Sequence, residues 1–472
     1  MQKILLFIAS LFYFNSLFAK DEIKSWQGIH ETPLSRLEQQ FAEPPVEFAN
    51  HVIWGWEGKM DKKTICNDLD SIKKKGFRAV IFEAGYKLPF KYLSEEWFKA
   101  IRTGVLEAKK RGMKVWIIDE GKYPSGFAGG KFSQERPDLR MQALVIGDTI
   151  QIKRGEVMTN HKIAPEIISA VAVSTSGAPN RTVAINNGEI SFNAGLDDWK
   201  ILLVKSDFRT AVTRAVNNPN GGKDATNSLC DYLNPVAVQQ FIDWTHEQYK
   251  KYLGKELGTT VLGFRGDEPD YAHLPWTPSI VQTFKDTKGY DPTPYLASFF
   301  TTSPTIQEQR VKADYWDVWS SLFATHFFKL QADWCAANGV AHITHLNKEH
   351  EMPACVKAEG DYFRNLSKVQ IPGVDAIWNQ IWPGTLNDFP KLASSVAHVY
   401  GKPRAFSESF AAYHISPTIP QAKFVVDHQI ARGINFFEFM FWPAGSKHRN
   451  WMSDPGMKGL NKYTNRTTYL MS

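Results

Sequence analysis

Cysteine is scarce in this chain. Four cysteines (Cys66, Cys230, Cys335 and Cys355) are spread over 472 residues, with no Cys-x-x-Cys pair and no Cys/His spacing of a zinc module. They read as free or buried thiols with room for one bridge, which a chain of this size does not need. No dense Lys/Arg tract accompanies the net charge of +6, so a nucleic-acid partner is not expected. No Gly-x-Ser-x-Gly elbow occurs, which counts against a serine esterase. No His-Glu-x-x-His occurs either, which leaves a zinc peptidase unsupported. Beyond the first residues, no apolar run is long enough to span a bilayer.

What is present begins with a targeting segment. Lys3 precedes the apolar run Ile4 to Phe14, and small and semi-polar residues lead to Ala19-Lys20. Residues 1–19 are therefore expected to be a secretory signal, and the protein to be secreted or periplasmic without a stable membrane span after cleavage. Leu17 departs from the preferred cleavage pattern, so an uncleaved anchor stays open. The chain as a whole is 43% hydrophobic and can bury a large core. Aromatics are in excess, with 15 Trp and 13% aromatic residues, a bias that suits stacking on sugar rings as well as core packing.

Short apolar runs alternate with amphipathic helices. The predicted strands cover residues 51–56, 79–85, 114–120, 261–268, 341–345, 375–378, 404–408 and 436–442. Between the first two lies a helix beginning near Asp61, with Ile65, Leu69 and Ile72 on one face and Gly76 as its stop; Ser94 caps the next, which closes at Gly112. Eight such units predict an α/β fold, a (β/α)₈ TIM barrel, in preference to an open doubly wound sheet. Helical periodicity disappears from about Arg140 to Thr226, where residues 149–153, 170–173, 182–185 and 201–204 read as strands and Asn186-Asn187-Gly188 as a turn. A small antiparallel β domain is expected there, inserted after strand three. The expected divisions are 20–139 for the first part of the barrel, 140–226 for the insertion and 227–472 for the rest of the barrel. Leu460 to Ser472 reads as the start of the closing helix, so either a minimal last helix ends the barrel or a longer protein continues.

In such a barrel the reactive groups lie where strands end. Carboxylates recur there: Glu83, Asp119 and Glu120, Asp267 and Glu268, Glu349 and Glu351, and Glu408. Cleaving a glycosidic bond takes two carboxyl groups, one protonating the leaving oxygen and one activating water or attacking the sugar. Side chains from strands four and seven can meet across the mouth, which makes Glu268 the candidate acid and Glu408 the candidate base. Asp267 beside Glu268 would raise its pKa. Candidates for substrate contact are Asp119, Glu120, Asp267, His345, Glu349, Glu351 and Asp375, with Trp54, Trp56, Trp382 and Trp442 for stacking. The glycines of Tyr123-Pro124-Ser125-Gly126-Phe127-Ala128-Gly129-Gly130 are not followed by the Lys-Ser/Thr of a phosphate loop, so that segment reads as substrate-facing.

The same string, together with Trp54-Gly55-Trp56-Glu57-Gly58, Asp231-Tyr232-Leu233-Asn234-Pro235, Asp267-Glu268-Pro269, Pro372-Gly373-Val374-Asp375 and Ser407-Glu408-Ser409-Phe410, resembles the α-L-rhamnosidases of glycoside hydrolase family 106. The resemblance runs from about Phe48 to the end. It implies an inverting hydrolase acting on an oligo- or polysaccharide, dependence on calcium with ligands left unassigned, and the acid and base roles for Glu268 and Glu408. It also implies β-sandwich domains beyond the barrel. Two alternatives stay open: a retaining, galactosidase-like β-glycosidase using the same two carboxylates, and a non-catalytic sugar-binding barrel.

Overall fold

The computed structural model describes residues 26–28, 32–209, 213–214, 223–224, 228–271, 274–385, 387–445 and 451–472. The expected signal, residues 1–19, lies outside them. Eight strands form the centre: β1 (His51–Trp56), β2 (Ala79–Ala84), β3 (Lys114–Ile118), β4 (Val261–Gly266), β5 (Ala341–Thr344), β6 (Ile371–Ala376), β7 (Phe406–Ser409) and β8 (Phe436–Pro443). Each pairs in parallel with the next, and β8 returns to β1, so the sheet closes into a (β/α)₈ barrel. The helices follow their sequence signals. Asp61 caps the helix Lys62–Lys74 by accepting from Thr64 N at 2.9 Å, and Ser94 caps Glu95–Lys110 by accepting from Trp97 N at 3.3 Å. Ile65, Leu69 and Ile72 are buried as their spacing requires.

β6 begins earlier than its sequence suggests, at Ile371 rather than Asp375. Pro372 and Gly373 look like turn residues, but a side chain at Gly373 would strike the Phe406 ring of β7, so this strand needs glycine. The helix Met457–Leu470 closes the barrel, and Asn465 Oδ1 accepts from the Asn50 backbone at 2.7 Å. Among the described residues all four cysteines are free, and no helix is long and apolar enough to cross a membrane.

The chain between β3 and β4 forms the β insertion. Strands 142–152, 167–174, 181–182 and 199–208 make an antiparallel sheet with Pro275–Trp276, a two-residue strand contributed by the loop after β4. Strands 157–162, 185–186 and 189–193 form a second sheet. The expected strand 182–185 is thus divided between two sheets. Asn187 and Gly188 have φ of 50° and 76°, the paired positive values of a tight hairpin turn. Residues 199–208 face two ways: Ile201 and Leu203 pack in the insertion's own core, while Leu202 and Val204 join the core of the barrel layer.

Candidate active site

The C-terminal ends of the strands enclose a cavity of about 410 Å³, and Glu268, Glu408, Asp267 and Asp375 all line it. The barrel's alternation explains how they meet. In β4, Phe264 faces the helix layer and Arg265 the lumen, where it is fully buried. Adjacent strands then place Asp375, Glu408 and Glu438 level with one another, since Asp375 pairs with Glu408 and Glu408 with Glu438. Arg265 holds the cluster together. Its guanidinium lies 2.6 Å from Asp267 and 3.2 Å from Glu438, and it also pairs with Glu408. A buried cation of this kind is tolerable only with several anionic partners.

The carboxyl groups are not alike. Burial, reinforced by the charges of Asp267 and Glu408, pushes Glu268 up to about 8. Burial also opposes ionisation of Asp267, but Arg265 and His345 outweigh it and hold that group well below the usual carboxylate range. Burial and the charge of Glu408 push Asp375 well up. Burial lifts Glu438 to about 7 despite Arg265. His345 lies behind the acids, 3.3 Å from Glu408, 3.4 Å from Asp267 and 3.6 Å from Glu349. Burial and the Arg265 charge oppose its proton, but the hydrogen bonds to these three carboxylates outweigh them and its pKa stays well above the ordinary histidine value.

Several residues expected at the mouth lie elsewhere. Trp54 and Trp56 alternate with the lumen-facing Ile53, so both point outward into the helix layer, and Trp54 Nε1 donates to Asp68 at 3.3 Å. Trp442 is buried in the same layer, and Trp382 is half-buried against Tyr413. None of the four lines the cavity. Asp119 and Glu120 are buried and serve the loop that follows them. Asp119 accepts from Ser125 Oγ at 2.6 Å, and Glu120 accepts from the backbone of Gly121, Ala128 and Gly129. Burial pushes Asp119 up to about 7 and Glu120 up to about 8. His345 is enclosed rather than open to a sugar, and Glu349 is buried, accepting from Leu346 N at 3.0 Å. Glu351 is exposed at the start of the helix Met352–Glu359.

The cavity also contains residues the sequence did not single out. Trp378 is 51% exposed, with φ of 51°, and is an indole that does line the cavity. Lys122 lines it too, 2.7 Å from Glu83 and over the Tyr86 ring. Arg265, which lines the cavity, and Glu438, which pairs with it, carried a usable signal: each is a charge inside an apolar strand, which must be partnered. Trp378 carried none, because its exposure depends on the turn after β6.

Calcium takes six to eight oxygen ligands. Among the described residues the acidic groupings at the mouth are Asp267, His345 and Glu408, and Glu268, His345 and Asp375. Each includes an imidazole, and Arg265 already occupies Asp267 and Glu408. As they stand these groupings do not fit calcium.

Comparison with known proteins agrees with this layout. The family model for glycoside hydrolase family 106, alpha-L-rhamnosidase, matches residues 159–467. A curated relative from Formosa agariphila, a putative beta-glucuronidase, is 24% identical over 90% of this chain and 39% of its own length. The rhamnosidase structure from Novosphingobium sp. PP1Y superposes with a TM-score of 0.69 at 15% identity, covering 93% of this chain and 61% of that one, a likeness of fold. The chain therefore spans less than two thirds of either relative. With the family model covering most of the residues from the β insertion to the closing helix, the chain belongs to glycoside hydrolase family 106, the alpha-L-rhamnosidase family.

Proposed function

We propose that this chain is the catalytic barrel of an exported glycoside hydrolase that removes terminal α-L-rhamnosyl units from an oligo- or polysaccharide with inversion. The observation that carries the reading is a single cavity lined by two glutamates in different electrostatic settings, Glu268 pushed up to about 8 and Glu408 paired with Arg265. In this reading Glu268 gives its proton to the glycosidic oxygen as the bond to the anomeric carbon breaks. Glu408 takes a proton from the water that attacks that carbon from the opposite face. The two residues regain their starting states by proton exchange with solvent. Arg265 positions Glu408, and Trp378 offers the apolar face on which a sugar ring can lie. Export rests on the basic start and apolar run of residues 1–19.

A second reading comes from the curated relative's description as a putative beta-glucuronidase. Lys122, at the cavity wall, supplies a cation that a uronate carboxylate could meet.

The test is hydrolysis of aryl α-L-rhamnosides and aryl β-glucuronides by the wild-type chain, E268Q and E408Q. On the rhamnoside, each variant is expected to lose at least about 10²-fold in kcat. The E268Q loss should shrink when the aryl group leaves without protonation. The wild-type kcat/KM should fall on the alkaline side of a pH near 8, where Glu268 gives up its proton. NMR should show β-L-rhamnose formed first. Full activity in both variants would remove the assignment, and cleavage of the glucuronide alone would replace the substrate.

A further inference from the structure

A second group of ionisable side chains lies on the other side of β5 from the acids. His342 belongs to β5, His246 opens the helix His246–Leu253, and Cys335 lies in the helix Lys329–Ala337. One donor atom from each lies within 4.8 Å of the others, and all three residues are buried. Strand alternation separates this group from the catalytic cavity: Ile343 faces the lumen, so His342 faces the helices. The surroundings are aromatic. Phe264 lies 4.3 Å and Trp334 5.1 Å from the His246 ring, centroid to centroid.

Packing alone leaves this arrangement unexplained. Among the described residues, both ring nitrogens of His342 and Nε2 of His246 are buried without a hydrogen-bond partner. A buried polar atom left so gives up its hydration with nothing in return. The tautomer of His246 is set by its neighbours. Thr245 Oγ1 donates to Phe241 O at 2.7 Å, which leaves its oxygen to accept the Nδ1–H of His246 at 2.9 Å. The lone pair of His246 is then on Nε2, the atom with no protein partner. Metal-binding histidines are oriented in this way, through a hydrogen bond from the second ring nitrogen. Burial lowers the pKa of both imidazoles, His342 to about 3, so both rings are neutral and able to donate electron pairs.

We propose that His246, Cys335 and His342 form a buried site for one thiophilic d¹⁰ cation, Zn²⁺ or Cu⁺, which ties the two helices to the back of β5. Two imidazoles and a thiolate are a donor set for these ions and not for calcium or magnesium. On binding, the Cys335 thiol loses its proton to solvent and its sulfur bonds the metal. A single thiolate cancels the charge of Cu⁺ and leaves Zn²⁺ with one positive charge, so the apolar setting suits either ion at different cost. Because the site is closed, the ion would enter during folding.

The experiment is to produce the chain in medium supplemented with Zn²⁺ or with Cu⁺ under reducing conditions. It is then dialysed against chelator, and retained metal is measured by elemental analysis alongside Tm. The expected result is about one ion retained per chain, a higher Tm than the metal-free form, and retention at least about tenfold lower in C335A and H342F. C66A serves as the control and should retain the ion in full. Chain produced with Co²⁺ should show a sulfur-to-cobalt charge-transfer band in the wild type, a readout that does not depend on the variants folding. Failure to retain either ion, as expected if only buried water satisfies the imidazoles, overturns the proposal. Equal retention in wild type and C335A does so as well.

Discussion

Arg265 supplies the charge around which the acids at the barrel mouth are arranged. It is 0% exposed and touches Asp267, Glu408 and Glu438. Without it these carboxylates would be buried as uncompensated neighbours. Trp378 plays a different part: it brings an exposed apolar surface to the same cavity, so its effect should be on binding. W378A is expected to raise KM about tenfold and change kcat little, as loss of uniform binding does. Steady-state kinetics on the aryl rhamnoside separate the two, and an equal fall in kcat would mean that the indole acts in the transition state. At this scale the sequence was partly legible. Acids at strand ends pointed to Glu268, Glu408 and Asp267, which do line one cavity, and Asp375, expected at the start of strand six, lies near the end of β6 and lines it as well. The aromatic signal misled because a strand's two faces alternate: Trp54 and Trp56 have the parity of the outer face, and Ile53 that of the lumen.

The loop after β3 serves two ends: Lys122 and Tyr123 line the cavity, and its glycines fold the chain around a buried carboxylate. Glu120 sits inside it and accepts from three of its backbone N–H groups, while Ser125 fastens it to β4 through the backbone N–H of Asp267 at 2.7 Å. Its glycines let the chain close around this carboxylate. Gly126 has φ of 98°, and a Cβ there would lie 2.6 Å from the Tyr232 ring. G126A should therefore cost about 2–4 kcal/mol, from backbone strain and overpacking together. G112A, at φ of 66° with nothing nearby, should cost about 1 kcal/mol. Urea unfolding of both variants checks this, and similar losses would mean that contact with Tyr232 is of no consequence. The loop's distinctive composition was visible in the sequence. Its fastening to β4 was not, because that depends on β4 lying beside β3 after the long insertion.

Across the whole molecule, buried acids couple stability to pH. Asp119, Asp231 and Glu438 are pushed up to about 7, and Glu120 and Glu268 to about 8, with burial the first cause in each. Each holds its proton more tightly folded than unfolded, so the folded state binds more protons between the ordinary carboxylate range and about 8. Stability should therefore fall as pH rises through that window. Asp267 works in the opposite direction: its lowered pKa stabilises the fold above the ordinary carboxylate value and is lost as pH drops below about 4. Urea midpoints measured from about pH 5 to 8 should decline steadily, and a flat profile would mean that these acids are already ionised near neutrality.

The architecture at this scale was the most legible part of the chain, because eight repeats of strand and helix leave a strong periodic pattern. The position of β6 was not, since Pro372 and Gly373 imitate a turn. The β insertion has a further consequence, for the order of events during synthesis. β3 must pair with β4, yet every residue of the insertion lies between them in the chain. The first three strands therefore leave the ribosome with an open edge and wait for a neighbour, while the insertion pairs its own strands, Trp199–Phe208 with Gln142–Ile152 and with Ile167–Ser174. Contacts so distant along the chain close slowly and leave apolar edges exposed meanwhile. This barrel is thus built to be vulnerable early in its folding, at the β3 edge, in the interval when a chaperone would be of most use.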